Sequence, residues 1–125
     1  MLRDYLRYWD GVQAAHATRN AGAPALVRYA AGAARSRIEA AVRTNIDRGY
    51  FRRGIVTHEP TVTALAGAAA TVRDCADISR WTIYSARTGR PVPIGPAEPT
   101  RVTTYALQRS GATWVVVQAV DGPAC

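Results

Sequence analysis

His16, His58, Glu59, Asp74, Asp77, Tyr84 and Tyr105 are the side chains with which this chain could move protons, and Cys75 and Cys125 are the pair with which it could form a covalent bond. Proton transfer needs a base held against the proton it takes, usually with a third group that orients the base. An apolar cavity would raise the pKa of a carboxyl group placed inside it and so make such a base. The spacing supplies no arrangement of that kind. His58 and Glu59 are neighbours, and neighbours on a strand point to opposite faces, so they form no dyad by spacing. His16 ends an amphipathic helical pattern and is expected to pack against that helix or cap it. Asp74 and Asp77 flank Cys75 where a strand ends. Asp77, with Ser79 two residues on, suits a turn whose carboxylate accepts from backbone amides. Tyr84 and Tyr105 are expected to pack with satisfied hydroxyls. No residue is therefore assigned a catalytic role. Trp9, His58, Asp77, Trp81, Tyr84 and Tyr105 are the residues expected around a pocket if the fold encloses one.

Metal and nucleotide chemistry find no support in the spacing. Two cysteines and two lone histidines match no zinc pattern. No Gly-rich loop leads from a strand into a helix, and there is no Gly-x-Ser-x-Gly elbow. No cofactor and no metal are expected. A disulfide between Cys75 and Cys125 is the better use of the thiols, because it would staple the final strand to the middle of a sheet. The loop so closed spans about 50 residues, for which chain entropy gives roughly 4 kcal/mol. The alternative is two unpaired thiols, one buried and one at the chain end. A disulfide implies an oxidising, extracytoplasmic setting, secreted or membrane-anchored. Met1-Leu-Arg-Asp-Tyr5 has no apolar targeting run, so a targeting segment is expected outside this chain.

The 125 residues suggest one domain, residues 1–125, with 48% apolar residues to fill its core. The formal net charge is +7, and all sixteen basic residues are arginine. They are spread from Arg3 to Arg109, with only Arg52 and Arg53 adjacent, and no aromatic-interleaved basic stripe appears. Specific nucleic-acid binding is not expected, whereas an anionic envelope surface or an acidic partner would be attracted.

These residues are carried by helices in the first half and strands in the second. Leu2, Tyr5, Leu6, Trp9 and Val12 fall at helical spacing within 2–18. Pro24 suits the first turn of a short helix over Ala25–Ala31, which Gly32 should end. A third helix is expected at 33–48, with Ile38, Val42, Ile46 and Tyr50 on one face and an i,i+4 pair of Glu39 with Arg43. Gly49 and Gly54 should bracket the turn into the strands. From Ile55 the period becomes two, giving strands near 55–66, 68–76, 80–87, 101–109 and 112–120. Pro60 calls for an edge or a bulge. The last strand is apolar on both faces and reads as central. Thr88–Pro99 is proline-rich and reads as a long irregular connection. Trp9, Val42, Ile46, Ile83, Val115 and Val117 are the expected core.

Helices followed by a curved antiparallel sheet make an α+β arrangement. Tyr8-Trp9, Leu26-Val-Arg-Tyr29, Arg53-Gly-Ile-Val-Thr-His-Glu-Pro60, Val72-Arg-Asp-Cys-Ala-Asp77 with Trp81 and Tyr84, then Trp114 and Cys125, resemble the nuclear-transport-factor-2-like superfamily over nearly the whole chain. The pattern is most similar to uncharacterised secreted or lipid-anchored actinobacterial members, and the absence of lysine beside abundant Ala, Arg, Gly and Val suits a GC-rich genome. The resemblance implies helices packed on the concave face of the sheet to make a cone with a pocket inside, and it allows a homodimer through the outer sheet face. It implies little about activity, because the fold hosts unrelated functions. Two functions follow. One is a non-catalytic binding or interaction domain of the cell envelope, part of a larger assembly, taking a protein partner or a small apolar ligand. The other is a small pocket enzyme of the ketosteroid isomerase or polyketide cyclase kind, although no catalytic position of those enzymes can be carried over.

Overall fold

In the computed structural model, which describes residues 1–93, 95 and 99–125, helices α1 (Leu2–Thr18), α2 (Pro24–Tyr29) and α3 (Gly32–Asp47) precede strands β1 (Tyr50–Thr57), β2 (Thr61–Ala66), β3 (Ala69–Cys75), β4 (Asp77–Ser85), β5 (Arg101–Ser110) and β6 (Thr113–Ala124). The architecture is α+β, with N-terminal helices on a curved antiparallel sheet. Asp4 in the first turn of α1 suits the positive end of the helix. Beyond Thr18, the Gly22 amide donates to Asn20 Oδ1 in a tight turn that separates α1 from α2. Pro24 opens α2, but Gly32 opens α3 at positive φ rather than merely ending α2. No described helix is long and apolar enough to cross a membrane.

The strands form two groups, β1–β4 and β2–β3–β5–β6, all antiparallel. The two groups share one bent hairpin. β1 runs into β2 through His58–Pro60, and β3 runs into β4 through Ala76. Pairing stops at Thr57 with Asp77 and resumes at Thr61 with Arg73. The single strand expected over 55–66 is therefore two, because proline cannot donate to a ladder and the chain turns the corner there. β1 also begins earlier than expected, at Tyr50, so Gly54 lies inside a strand and not in a turn. Its φ is +141°, and a Cβ there would collide with the Arg80 carbonyl oxygen across the ladder. Only glycine lets β1 lie this close to β4.

The last strand is a second correction. β6 is an edge of its group, and Val120 is 55% exposed. Its free edge is met by the α2–α3 link, where the Ala31 amide donates to the Val116 carbonyl at 2.9 Å. A register shift at Ala106/Leu107 sets which β6 residues face inward. Val116 is fully buried, while Val115 and Val117 are only half-buried. The other edge strand, β2, is exposed along its whole length.

The core lies between the helices and the sheet. Tyr5, Tyr8, Trp9 and Val12 of α1 and Leu26 of α2 meet Val42 of α3 and Val72, Trp81, Tyr105, Leu107 and Val116 of the strands. Gly11 is the contact of α1 with α2, since a Cβ there would strike the Leu26 backbone. Leu6 departs from the expected stripe and is 39% exposed, because the buried face of α1 is centred on Tyr5, Tyr8 and Trp9. Ile46 is only partly buried against the core, and Ile83 is half-buried. In the connection after β4, the Ser85 and Val92 amides donate to the Arg90 and Ile83 carbonyls, so its start folds back on β4. The expectation for 88–99 lies partly outside the described residues.

Cys75 and Cys125 are joined by a disulfide, which ties the end of β3 to the end of β6 across β5. Replacing Cys125 with Ser is expected to cost about 2–4 kcal/mol, read from urea denaturation, and to speed amide exchange first at the end of β6. Leu26→Ala should cost about 2–5 kcal/mol as a cavity in the core. Leu6→Ala, already in contact with water, should stay within about 1 kcal/mol in the same assay.

Candidate functional site

Asp74 is 1% exposed at the corner where the hairpin bends. A buried carboxylate must have its lone pairs filled, and three donors fill them. Tyr5 Oη donates to Oδ2 at 2.5 Å, His58 Nδ1 to Oδ2 at 2.7 Å, and the Glu59 amide to Oδ1 at 2.8 Å. An ionised carboxylate only accepts, so the proton of His58 sits on Nδ1. Trp9 Nε1 in turn donates to Tyr5 Oη at 3.0 Å. Burial alone would push the Asp74 carboxyl up, but the donors together hold it below the ordinary carboxylate range. Burial, with Asp74 and Tyr105 nearby, raises the Tyr5 hydroxyl far above its usual value. Base, orienting acid and hydroxyl thus do meet, contrary to the spacing argument, because the corner at His58–Pro60 removes His58 and Glu59 from a regular strand and swings both onto Asp74.

Beside this network lies a cavity of about 490 Å³. Its walls follow the periodicities of the elements. Trp9, Val12 and His16 come from one face of α1; Ile38, Ala41 and Asn45 come from one face of α3. Trp81 and Ile83 alternate along β4, and Arg101, Thr103 and Tyr105 along β5. Arg52, paired with Ile83 across the ladder, adds a cation. Its guanidinium carbon stands 3.9 Å from the centroid of the Trp81 ring, and its Nε donates to the Trp81 carbonyl at 2.9 Å. Arg53 points to the other face and packs on Phe51.

His16 is 5% exposed, edge-on to Trp81 at 5.0 Å, with its Nδ1 3.4 Å from Asn45 Nδ2. Burial, and then the charge of Arg52, lower its pKa to about 4, so the ring is neutral near pH 7. Burial pushes the Tyr105 hydroxyl up to about 12. Arg37 grips Asp121 through two bonds of 3.0 and 2.9 Å, and Thr103 donates to the same carboxylate at 3.2 Å.

Of the six residues expected around a pocket, Trp9, Trp81 and Tyr105 line the cavity. His58 stands behind Trp9, ring centroids 5.0 Å apart, and is held by Asp74. Asp77 is exposed and accepts from the Ser79 amide at 2.9 Å, closing its own turn. Tyr84 stacks on Phe51 at 5.3 Å. Sequence reasoning missed His16, Arg37, Arg52 and Arg101 as cavity residues. The Trp9–Val12–His16 spacing was the signal for His16, whereas the arginines come together only through cross-strand and helix–sheet pairing. Among the described residues, no three His, Cys, Asp or Glu side chains gather as they would to hold a metal.

No protein-family model matches this sequence, and no curated protein matches it significantly. Its similarity is to solved structures. The intermembrane-space region of the chloroplast protein ARC6 superposes with a TM-score of 0.60 at 13% identity, over 95% of this chain and 91% of that one. A Nostoc punctiforme protein of unknown function with a cystatin-like fold superposes with a TM-score of 0.52 at 7% identity, over 96% of this chain and 90% of that one. At these identities the likeness is one of fold.

Tyr5→Phe removes one donor from a buried carboxylate and should cost about 1.5–3 kcal/mol in urea denaturation. His16 gives a separate pH signature. Its folded pKa, about 4, lies below its unfolded value of 6.5, so the unfolded chain binds the extra proton and stability falls as pH drops from about 6.5 towards 4. Asp74 contributes in a lower window, losing its stabilisation only as the pH falls below the ordinary carboxylate value. The melting temperature of His16→Asn should therefore vary less between pH 6.5 and 4.5 than that of the parent protein.

Proposed function

We propose that this protein is a non-catalytic, extracytoplasmic binding domain of the cell envelope, of the nuclear-transport-factor-2-like kind, and that the cavity between α1, α3 and the sheet is its binding site. The observation that carries this reading is the separation of the cavity from the acid–base network. The bonded group of Tyr5, His58 and Asp74 does not line the cavity, and the two proton-transfer candidates that do, His16 and Tyr105, are both held neutral near pH 7 by burial. The cavity instead offers Trp9, Val12, Ile38, Ala41, Ile78 and Ile83 as apolar wall, enough to take a small ligand. The disulfide supports an oxidising compartment, and the similar fold from an intermembrane space accords with a location outside the cytoplasm.

The pocket-enzyme reading has one observation in its favour, the buried Tyr–Asp–His constellation itself. Against it, a base must reach its substrate. Here Trp9 and Tyr105 stand on the cavity wall, while His58 and Asp74 do not.

The test uses N-phenyl-1-naphthylamine, a neutral apolar fluorophore. The parent protein should bind it with enhanced, blue-shifted emission. Ala41→Trp, which places an indole in the cavity, should lose binding while keeping a cooperative melt. Failure of the parent protein to bind the dye, or equal binding by the folded Ala41→Trp variant, would remove the cavity as the site. Turnover of an apolar ketone that disappears in His58→Gln would instead establish the enzyme reading.

A further inference from the structure

The cavity is apolar in its walls but unbalanced in its charge. Among the described residues, three guanidinium groups, Arg37, Arg52 and Arg101, line it against one carboxylate, that of Asp121. That carboxylate is already taken by both Nη2 bonds from Arg37 and by Thr103. Among the described residues, Arg101 reaches the Gly122 carbonyl alone, at 3.4 Å. Arg52 has no carboxylate partner among the described residues. Its Nε is spent on the Trp81 carbonyl and its guanidinium carbon lies over the indole, which leaves the two Nη groups as a fork with no partner among the described residues.

A partly buried cation without a counter-charge is costly, and proteins rarely retain one that nothing answers. The neighbours of Arg52 add no compensation. His16 is neutral when bound to nothing, Asn45 is a neutral amide, and Trp81 and Ile83 are apolar. The desolvation that lowers the pKa of Arg52 is the same cost seen from the other side. A guanidinium fork fixed by stacking suits a planar, bidentate anion better than a point charge would.

We propose that the cavity takes an amphipathic carboxylate, with the carboxylate on the Nη fork of Arg52 and its apolar body against Val12, Ile38, Ile78 and Ile83. This rests on the reading of the cavity as the binding site. Arg101, at the exposed end of β5, steers the anion inward, while Arg37 stays on Asp121. Trp81 reports occupancy, because the ligand's anion neutralises the guanidinium that lies on its ring.

The experiment titrates the disulfide-bonded protein with octanoate and, separately, with octanamide, the neutral analogue of the same length. Binding is followed by calorimetry and by the indole N–H resonance of Trp81. Octanoate should bind at least tenfold more tightly than octanamide and shift the Trp81 resonance. Arg52→Gln, which removes the charge and ends in a planar amide, should bring the two probes to within a factor of two while keeping a cooperative melt. Arg53→Gln, on the opposite face, should leave the preference for octanoate intact. Equal binding of octanoate and octanamide by the parent protein, or a preference unaltered in Arg52→Gln, would overturn the carboxylate assignment while the cavity reading stands. If octanoate fails to bind while the naphthylamine binds, the assignment is again wrong and the cavity is a site for neutral ligands. If neither binds, the cavity reading itself falls.

Discussion

The buried charge of Asp74 is the constraint to which the rest of the fold answers. It sits where a long hairpin bends, one residue before the disulfide, and its oxygens draw in donors from α1 and from the link between β1 and β2. The three donors that surround the carboxylate favour its ionised form, and they link the corner, the first helix and the third strand to one another. Asp4, the residue before Tyr5 in the first turn of α1, repeats the device. It is 4% exposed and accepts from the Trp114 amide at 2.9 Å, anchoring the helix start to β6. Helix α1 is thus tied to the sheet by two adjacent residues of its first turn, Asp4 accepting and Tyr5 donating, with Trp9 hydrogen-bonded to Tyr5 one turn further on. The aromatic cluster of Tyr5, Tyr8 and Tyr105 fills what remains, with ring separations of 5.0 to 6.3 Å.

The same packing makes the cavity. Trp9 and Tyr105, held towards the network, form one wall of the space bounded by α3 and β4. The contrast between the two regions is electrostatic. In the network each buried polar atom has its partner. On the cavity wall Arg52 lacks an anion among the described residues. Structural satisfaction on one side of Trp9 and open valence on the other separate the part that holds the fold from the part available for binding.

Much of this was legible in the sequence, for identifiable reasons. The helices announced themselves by period and by Pro24. The disulfide followed from two thiols that suit no metal. Asp77 and Ser79 closed their turn as local chemistry dictates. What failed was whatever depended on distant partners. Pairing His58 with Asp74 required knowing that Pro60 breaks one strand into two. The inward phase of β6 required the register shift opposite Ala106, which no residue type marks. Helical spacing puts Leu6 on one stripe with Tyr5 and Trp9, although the wide aromatic face of α1 turns it towards water. The arginines of the cavity were invisible as a group because they lie on α3, β1 and β5, far apart in the chain.

The exposed strand β2 carries a consequence of a different kind. Its residues, Thr61-Val-Thr-Ala-Leu-Ala66, bear no charge, and its outer edge has no partner strand among the described residues. Open edges of this composition template the addition of further strands unless something blocks them. Charged gatekeepers, the usual block, are missing from within the strand. The register shift between Val62 and Ala64 and the proline just before Thr61 take their place, by bending the ladder and withholding a donor. Protection against strand-by-strand polymerisation is therefore steric rather than coulombic, so ionic strength should leave it untouched, whereas straightening this one edge would expose six residues of unguarded backbone.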